Sequence, residues 1–467
     1  MSGESVFQKG ALLFVITLIL GLWILGGQED RGQIKDMGYC FDAAYHSGQE
    51  RLFVVGGIKG LHVFKANGGR LDFVTTVYDE GYYRNIDIAQ DRAFIADSRR
   101  GLIVMDISGE NPVVTWRWKD PEPKTPGMGI HVDGSHAYLA VGNADKYEKA
   151  GIYIFDISNR DRPELTGYAR TKNAWDIWTK DAYAYVADMS EGLTVLDISQ
   201  SSSPRTIGNA KWDDANSMAE IIRGEGNKVY IAAGKHGLII ADIRDPHNPR
   251  VEGTFQSGPQ GFAEGLCVRD EIVYLANAHD LLTRENGLFV IDAGDPKKPR
   301  LLGKCTFQGW VEGVSLDDKY VFVTNTYSGV RSVDVSEPAH PRLIDSYGPA
   351  KSKPSIAEKI LVTLEENGLE TALAVYEDLS EKARDAYEFG EEELNRLGYY
   401  LLKTQKVDDA IAIFKLNQEV YPQSYNAYDS LGDAYLHKAY WSYKKSLDLN
   451  PENEHAKAMI QRIMGKS

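Results

Sequence analysis

Three glutamates recur in matching surroundings along the chain: Glu220 in SMAEII, Glu264 in FAEGLC and Glu312 in GWVEGV. Carboxylates gathered at one place could coordinate a hard cation, grip a polar ligand, or divide into a general acid and a general base if their environments split their pKa values. They could equally be scaffold, each accepting backbone N–H groups from a neighbouring unit. His236 and His279 could in principle add nitrogen ligands beside Glu220 or Glu264. Histidines spread over loops seldom converge, so neither a metal nor a cofactor is expected. A G-x-S-x-G elbow, an H-E-x-x-H helix, a P-loop and a C-x-x-C pair are all absent from the sequence. Any enzyme here would need a site assembled from scattered loops.

What must position these residues is a repeat. GLHVF at Gly60, GLIVMDIS at Gly101, GIYIFDIS at Gly151, GLTVLDIS at Gly192, GLIIADIR at Gly237, GLFVIDAG at Gly287 and GVRSVDVS at Gly329 are one motif written seven times. The spacing, about 40 to 50 residues, is that of a propeller blade or a solenoid coil. Each unit holds four short runs rich in Val, Ile, Tyr and Phe, bounded by turn residues, as in EGLCV, IVYLAN, GLFVID and PRLLGKCTF of the sixth. Seven such units in a closed ring protect sheet edges that an open array would expose. The expected fold class is therefore mainly β: a seven-bladed β-propeller of four-stranded antiparallel blades over residues 38–349. YCFDAAYH opens the first unit and PRLIDSYG closes the seventh, so every blade should be contiguous chain with no borrowed strand.

An Asp ends the third strand of six units: Asp106, Asp156, Asp197, Asp242, Asp292 and Asp334. Each precedes a turn such as DIRDPHNPR, where the carboxylate can accept turn N–H groups while proline fixes φ. Six equivalent acids cannot all serve one substrate, which argues for structure.

Aligning the units on their second strands puts Glu220, Glu264 and Glu312 at one position of units five, six and seven. Arg84, Met128 and Trp175 hold that position in units two, three and four. The channel mouth should then be acidic on one side and aromatic or basic on the other. Loops entering the first strands and joining second to third strands should open on one face. That face would gather Tyr82, Tyr83, Trp116, Trp118, Trp175, Trp212, Phe262 and Trp310 with the segments KDPEPKTPG, NADKYEKAG and NAHDLLTRENG. Such a face reads either as a recognition surface or as rim packing.

The set G-L-x-[IV]-x-D-I-S followed by P-x-x-P-R resembles the LVIVD-repeat family of bacterial and archaeal cell-surface propellers, over roughly residues 38–349. The first copy departs from it, since GLHVFKANGG has neither the Asp nor the Pro. The resemblance implies an exported binding or scaffold protein and brings no known catalytic residues. After GPAKSKPS, of which residues 350–355 are read as linker, the hydrophobic period changes from 2 to about 3.6. In a frame of about 34 residues from residue 391, Leu394, Leu397, Gly398, Leu401, Ala410, Phe414 and Pro422 match the tetratricopeptide pattern. Residues 356–467 are accordingly expected to form an all-α tetratricopeptide-like domain. Its second copy has lost the turn between Tyr435 and Ala439, which leaves either one long helix or a distorted pair over residues 425–449.

ALLFVITLILGLWIL, residues 11–25, follows Lys9 within an N-terminal segment spanning 1–30. It reads as an export signal or a retained anchor, because a span needs ~17 to 25 apolar residues and no cleavage pattern follows. The rest of the chain is expected in the periplasm or at the cell surface, with membrane contact only through this segment. A formal net charge of -15 without a basic stripe disfavours nucleic acid. Cys40, Cys267 and Cys305 are too few for a disulfide framework; the last two, on the first and fourth strands of one blade, should lie ~14 Å apart and stay unpaired. The leading functional expectation is a non-catalytic scaffold. Its propeller loop face would bind an unknown ligand, and its helical groove would take a protein or peptide. The alternative is a propeller hydrolase or lyase acting on a saccharide or peptide, with one of the three glutamates as acid and His236 or His279 assisting.

Overall fold

The computed structural model describes residues 37–118, 126–142, 149–213, 217–258, 261–278, 286–307, 309–326, 328–348 and 355–463. The N-terminal segment, most of the linker, His279 and the centres of the three long loop segments lie outside the described residues.

Among the described residues, seven antiparallel sheets of four consecutive strands span 42–77, 83–117, 127–170, 176–210, 221–255, 262–306 and 314–347. These are blades 1 to 7, each of contiguous chain as the sequence predicts. The inner strand of blade 7 (Val314–Leu316) lies beside that of blade 1 (Asp42–His46), which closes the ring. No strand is shared at that junction. Hydrogen bonds hold it: Cys40 N to Thr326 O at 3.1 Å, Tyr45 N to Ser315 Oγ at 2.9 Å, and Leu71 N to Asp345 Oδ2 at 2.9 Å.

The apolar alternation of the motif feeds two neighbouring seams at once. In blade 5, Leu238 and Ile240 pack toward blade 6, while Ile239 and Ala241 pack toward blade 4. Third strands are thus buried on both faces, which is why they read as continuous apolar runs. The motif glycine is required by the outer strand. Gly237 has φ +75°, and a Cβ there would stand 2.1 Å from Phe255 O; Gly329, with φ +88°, meets Tyr347 O at the same distance. Only glycine fits so close a backbone approach with that φ.

All six motif aspartates accept the N–H two residues on, for example Asp156 from Ser158 at 2.7 Å, Asp197 from Ser199 at 3.0 Å and Asp334 from Ser336 at 2.9 Å. Asp106, Asp242 and Asp292 do likewise with Ser108, Arg244 and Gly294. Side-chain hydrogen bonds from Ser108, Ser158, Ser199, Arg244 and Ser336, and at Asp292 the Gly294 N–H, hold all six carboxyls below their ordinary pKa, Asp197 at about 2. The proline turn then seats on the previous blade. A Cβ at Gly208 would stand 2.3 Å from Pro246 O, and one at Gly253 only 1.6 Å from Pro296 O. At the ring junction Asp345 takes the glycine's place and accepts Leu71 N, and a Gly68-Gly69 hairpin replaces the proline turn. The departure of the first copy from the motif is therefore where the ring closes.

Cys40, Cys267 and Cys305 form no disulfide with one another. Burial pushes the Cys267 thiol up to about 12 and raises that of Cys305.

After the propeller come α1 (Ile356–Asn367), α2 (Leu369–Lys382), α3 (Glu391–Lys403), α4 (Val407–Val420), α5 (Tyr425–Leu449) and α6 (Glu454–Ile463). The helices share an apolar core of their own. Leu394, Leu397 and Leu401 of α3 meet Ala410 and Phe414 of α4 fully buried, and a Cβ on Gly398 would stand 2.4 Å from the Phe414 ring. Of the two possibilities for residues 425–449, the one realised is a single helix of 25 residues.

Candidate functional site at the channel mouth

At the start of each of the seven inner strands, or just before it, one residue reaches the mouth: Phe41, Arg84, Met128, Trp175, Glu220, Glu264 and Glu312 line a single narrow throat. The sequence alignment predicted six of these; Phe41 completes the ring. Backbone register places them equivalently, with Phe41 N on Val55 O, Trp175 N on Ala187 O, Glu220 N on Ala232 O and Glu312 N on Thr324 O, at 2.8 to 3.1 Å.

The Arg84 guanidinium lies between two rings, 5.0 Å from the Phe41 centroid and 4.7 Å from that of Trp175. On the acidic side, Glu264 accepts from Trp310 Nε1 at 3.1 Å and Glu312 accepts from the Tyr39 hydroxyl. Bonds to the next blade's backbone are made one residue deeper, where Asp42 accepts Ile86 N at 3.3 Å, Asn85 accepts Ile130 N at 2.9 Å and Asp176 accepts Ile222 N at 3.1 Å. In blades 6 and 7 that deeper position is glycine, because the neighbouring inner strand comes too near. A Cβ on Gly265 would stand 2.1 Å from Glu312 O.

Asp42 also accepts Asn85 Nδ2 at 2.7 Å, and burial pushes its carboxyl up to about 7 against the opposing pull of Arg223. Arg223 itself pairs with Asp176 at 2.5 Å. Asp42 is thus an acid at this site held near neutrality, and the motif search missed it because blade 1 departs from the repeat. Extending the alignment to YCFDAAYH would have set Phe41-Asp42 beside Trp175-Asp176.

Helix α3 lies over the mouth. Glu392, Asn395, Arg396 and Tyr399 complete a cavity of about 450 Å³ whose floor and walls include Tyr39, Phe41, Tyr82, Met189, Met218 and the three glutamates. Its roof is braced by a buried group in which Arg396 donates to Glu393 at 2.7 Å and to the Ser355 hydroxyl at 2.8 Å, while Ser355 also donates to Glu393. Among the described residues the lining carries four carboxylates (Glu220, Glu264, Glu312, Glu392) against two guanidinium groups (Arg84, Arg396). Nothing in the sequence announces this roof, since which side of a disc a helical segment covers leaves no periodic mark.

The expected loop face needs correction. Tyr82 and Trp310 line the cavity. Tyr83 is fully buried in the seam of blades 1 and 2, with its hydroxyl on Asp79. Trp118 is 9% exposed and packs with Trp116 against Phe155 in the seam of blades 2 and 3. Phe262 is also buried, and Trp212 is half-buried with Nε1 on Ser217 O at 2.6 Å. Strand alternation explains the error: neighbours in sequence point to opposite faces, so proximity to a loop does not deliver a ring to the mouth. Of the two histidines of the metal alternative, His279 lies outside the described residues. His236 Nε2 stands 3.4 Å from Asp213, and among the described residues no group of three or more His, Cys, Asp or Glu is arranged to hold a metal.

The LVIVD repeat matches residues 80–112, 127–171, 172–211, 218–257 and 308–348. The disc is an LVIVD-repeat propeller. Blades 1 and 6 of this LVIVD propeller fall outside the matched residues, although blade 6 keeps the motif in GLFVIDAG. No curated protein matches the chain. Among solved structures, Saccharomyces cerevisiae Sqt1 is 8% identical with a TM-score of 0.49, over 67% of this chain and 86% of that one. The computationally designed Ika8 protein is 10% identical at 0.48, over 68% and 88%. The propeller domain of Myceliophteria thermophila Cps50 (Swd1) is 9% identical at 0.49, over 66% and 97%. These are distant likenesses, and the architecture rests on the strand pairing itself.

Proposed function

We propose that this LVIVD propeller is a non-catalytic ligand-binding scaffold whose binding site is the roofed mouth cavity. The observation that carries the reading is the contrast between frame and lining. Seven equivalent backbones present Phe, Arg, Met, Trp and three Glu at one ring, beneath a helix that encloses a volume fit for a small ligand. The tail is read as tetratricopeptide-like, from its spacing and from Gly398 seated on Phe414; the exposed Tyr428, Tyr435 and Trp441 of α5 give it a surface for a protein or peptide partner. Residues 11–25 support an exported location, periplasmic or at the cell surface. Among the described residues no helix is long and apolar enough to cross a membrane.

One observation favours the enzymatic alternative: a carboxyl poised near neutrality, Asp42, lies in the throat below the glutamates. Hydrolysis of a saccharide or peptide panel that Asp42→Asn abolishes would establish it. The binding reading is tested by thermal shift of the full-length chain against small molecules of positive, negative and zero charge. At least one should stabilise the chain and lose its effect in Trp310→Ala and Tyr399→Ala; no stabiliser of any charge would overturn the reading.

A further inference from the structure

The mouth already holds one organic cation, its own. Arg84 is flanked by Phe41 and Trp175 at 5.0 and 4.7 Å, the arrangement in which a planar cation gains from two ring faces. On the opposite arc Glu264 and Glu312 are oriented by Trp310 and Tyr39, so two carboxylates are fixed beside aromatic edges. Overhead, two buried polar atoms have no hydrogen-bond partner among the described residues: Asn395 Oδ1, an acceptor, and Arg396 Nε, on a side chain 9% exposed. Buried polar atoms of this kind ordinarily find partners, which points to a guest.

The charge balance selects among guests. Among the described residues the lining sets four carboxylates against two guanidinium groups, one of them Arg396, already paired to Glu393, so the described lining carries a formal excess of negative charge. Low-dielectric walls focus that field and raise the local concentration of cations while repelling anions. A cation head that only donates also matches what is there to accept: the glutamate arc and Asn395 Oδ1. Met189 and Met218 supply soft apolar surface for a stem.

Building on the binding-site reading above, we propose that the cavity takes a small organic cation, an alkylguanidinium or alkylammonium group. Its head would bind on the Glu220–Glu264–Glu312 arc and at Asn395 Oδ1, with its stem along the methionines. An acceptor at the far end of the guest would meet Arg396 Nε.

The full-length chain is titrated calorimetrically with agmatine, arginine, pentanediol and glutarate. Agmatine should bind saturably and roughly tenfold or more tighter than pentanediol, as charged hydrogen bonds require, and more weakly as salt is raised. Glutarate should not bind. Glu264→Gln and Glu312→Gln should each weaken agmatine by about tenfold while the circular dichroism spectrum is kept. Arginine tighter than agmatine would identify a guest that also uses Arg396; the reverse order would identify a simple amine. Agmatine no tighter than pentanediol, or untouched by both Glu substitutions, overturns the cation assignment. If another compound still stabilises the chain in a manner that Trp310→Ala removes, the binding-site reading survives that failure; if none does, both fall.

Discussion

Asp42 shows what the channel does to a single side chain. Its carboxyl sits in the throat with Asn85 and Ile86 as donors, and burial lifts it from an ordinary value of 3.8 to about 7. Between those values the folded chain keeps a proton that the unfolded chain has released, so the stability attached to this group falls as pH rises from about 4 to about 7 and is flat beyond. Asp42→Asn retains an acceptor for both donors and cannot ionise. Its melting temperature relative to the unaltered chain is expected to climb from about pH 4 to about pH 7, by the equivalent of a few kcal/mol at most. A flat difference across that range would mean that Asp42 is ionised throughout. The mouth glutamates, by contrast, were legible in the sequence, because three copies of one residue at one repeat position stand out even without a structure.

At the scale of elements, the repeat works as a latch between blades. Its glycine admits the outer strand, its aspartate fastens the turn, and its prolines carry the turn onto the preceding blade. Gly237→Ala would force a Cβ to 2.1 Å from Phe255 O at a φ that L-residues rarely adopt. Denaturant unfolding should show a loss of about 1–3 kcal/mol, well above what an exposed Gly→Ala change produces. Nearly all of this was readable from seven copies of a motif, since period-2 alternation and turn residues are local signals. The buried aromatics were misread for the opposite reason: whether Tyr83 or Trp118 reaches a loop face depends on which side of a strand it occupies and what the next blade presents there.

The whole molecule is two cores in contact, a ring with one apolar layer per seam and a helical tail with its own, meeting over the mouth. Units with separate cores unfold separately, so calorimetry should resolve two transitions. Glu393→Ala leaves Arg396 buried without its carboxylate and should cost the helical transition roughly 3–5 kcal/mol while the β transition stays in place. Trp310 emission should shift with the helical step, because that step uncovers the mouth. A single transition moved as a whole would show instead that disc and tail are one cooperative unit. The disc was foreseeable from the sequence and the roof was not: a repeat encodes its own neighbours, whereas nothing in it specifies which face a following helical segment will cover.

Both ends of the disc lie on its roofed side. The chain arrives through Met37 and Tyr39, the latter in the cavity wall, and departs through Ser355, which is bonded to the Arg396 of the roof. Asp317 and Asp318, with Tyr45 and Glu50, lie at the opposite end of the strands, so both chain connections meet the disc on the side of the cavity. Traffic to the cavity would then have to travel edgewise, between disc and helices.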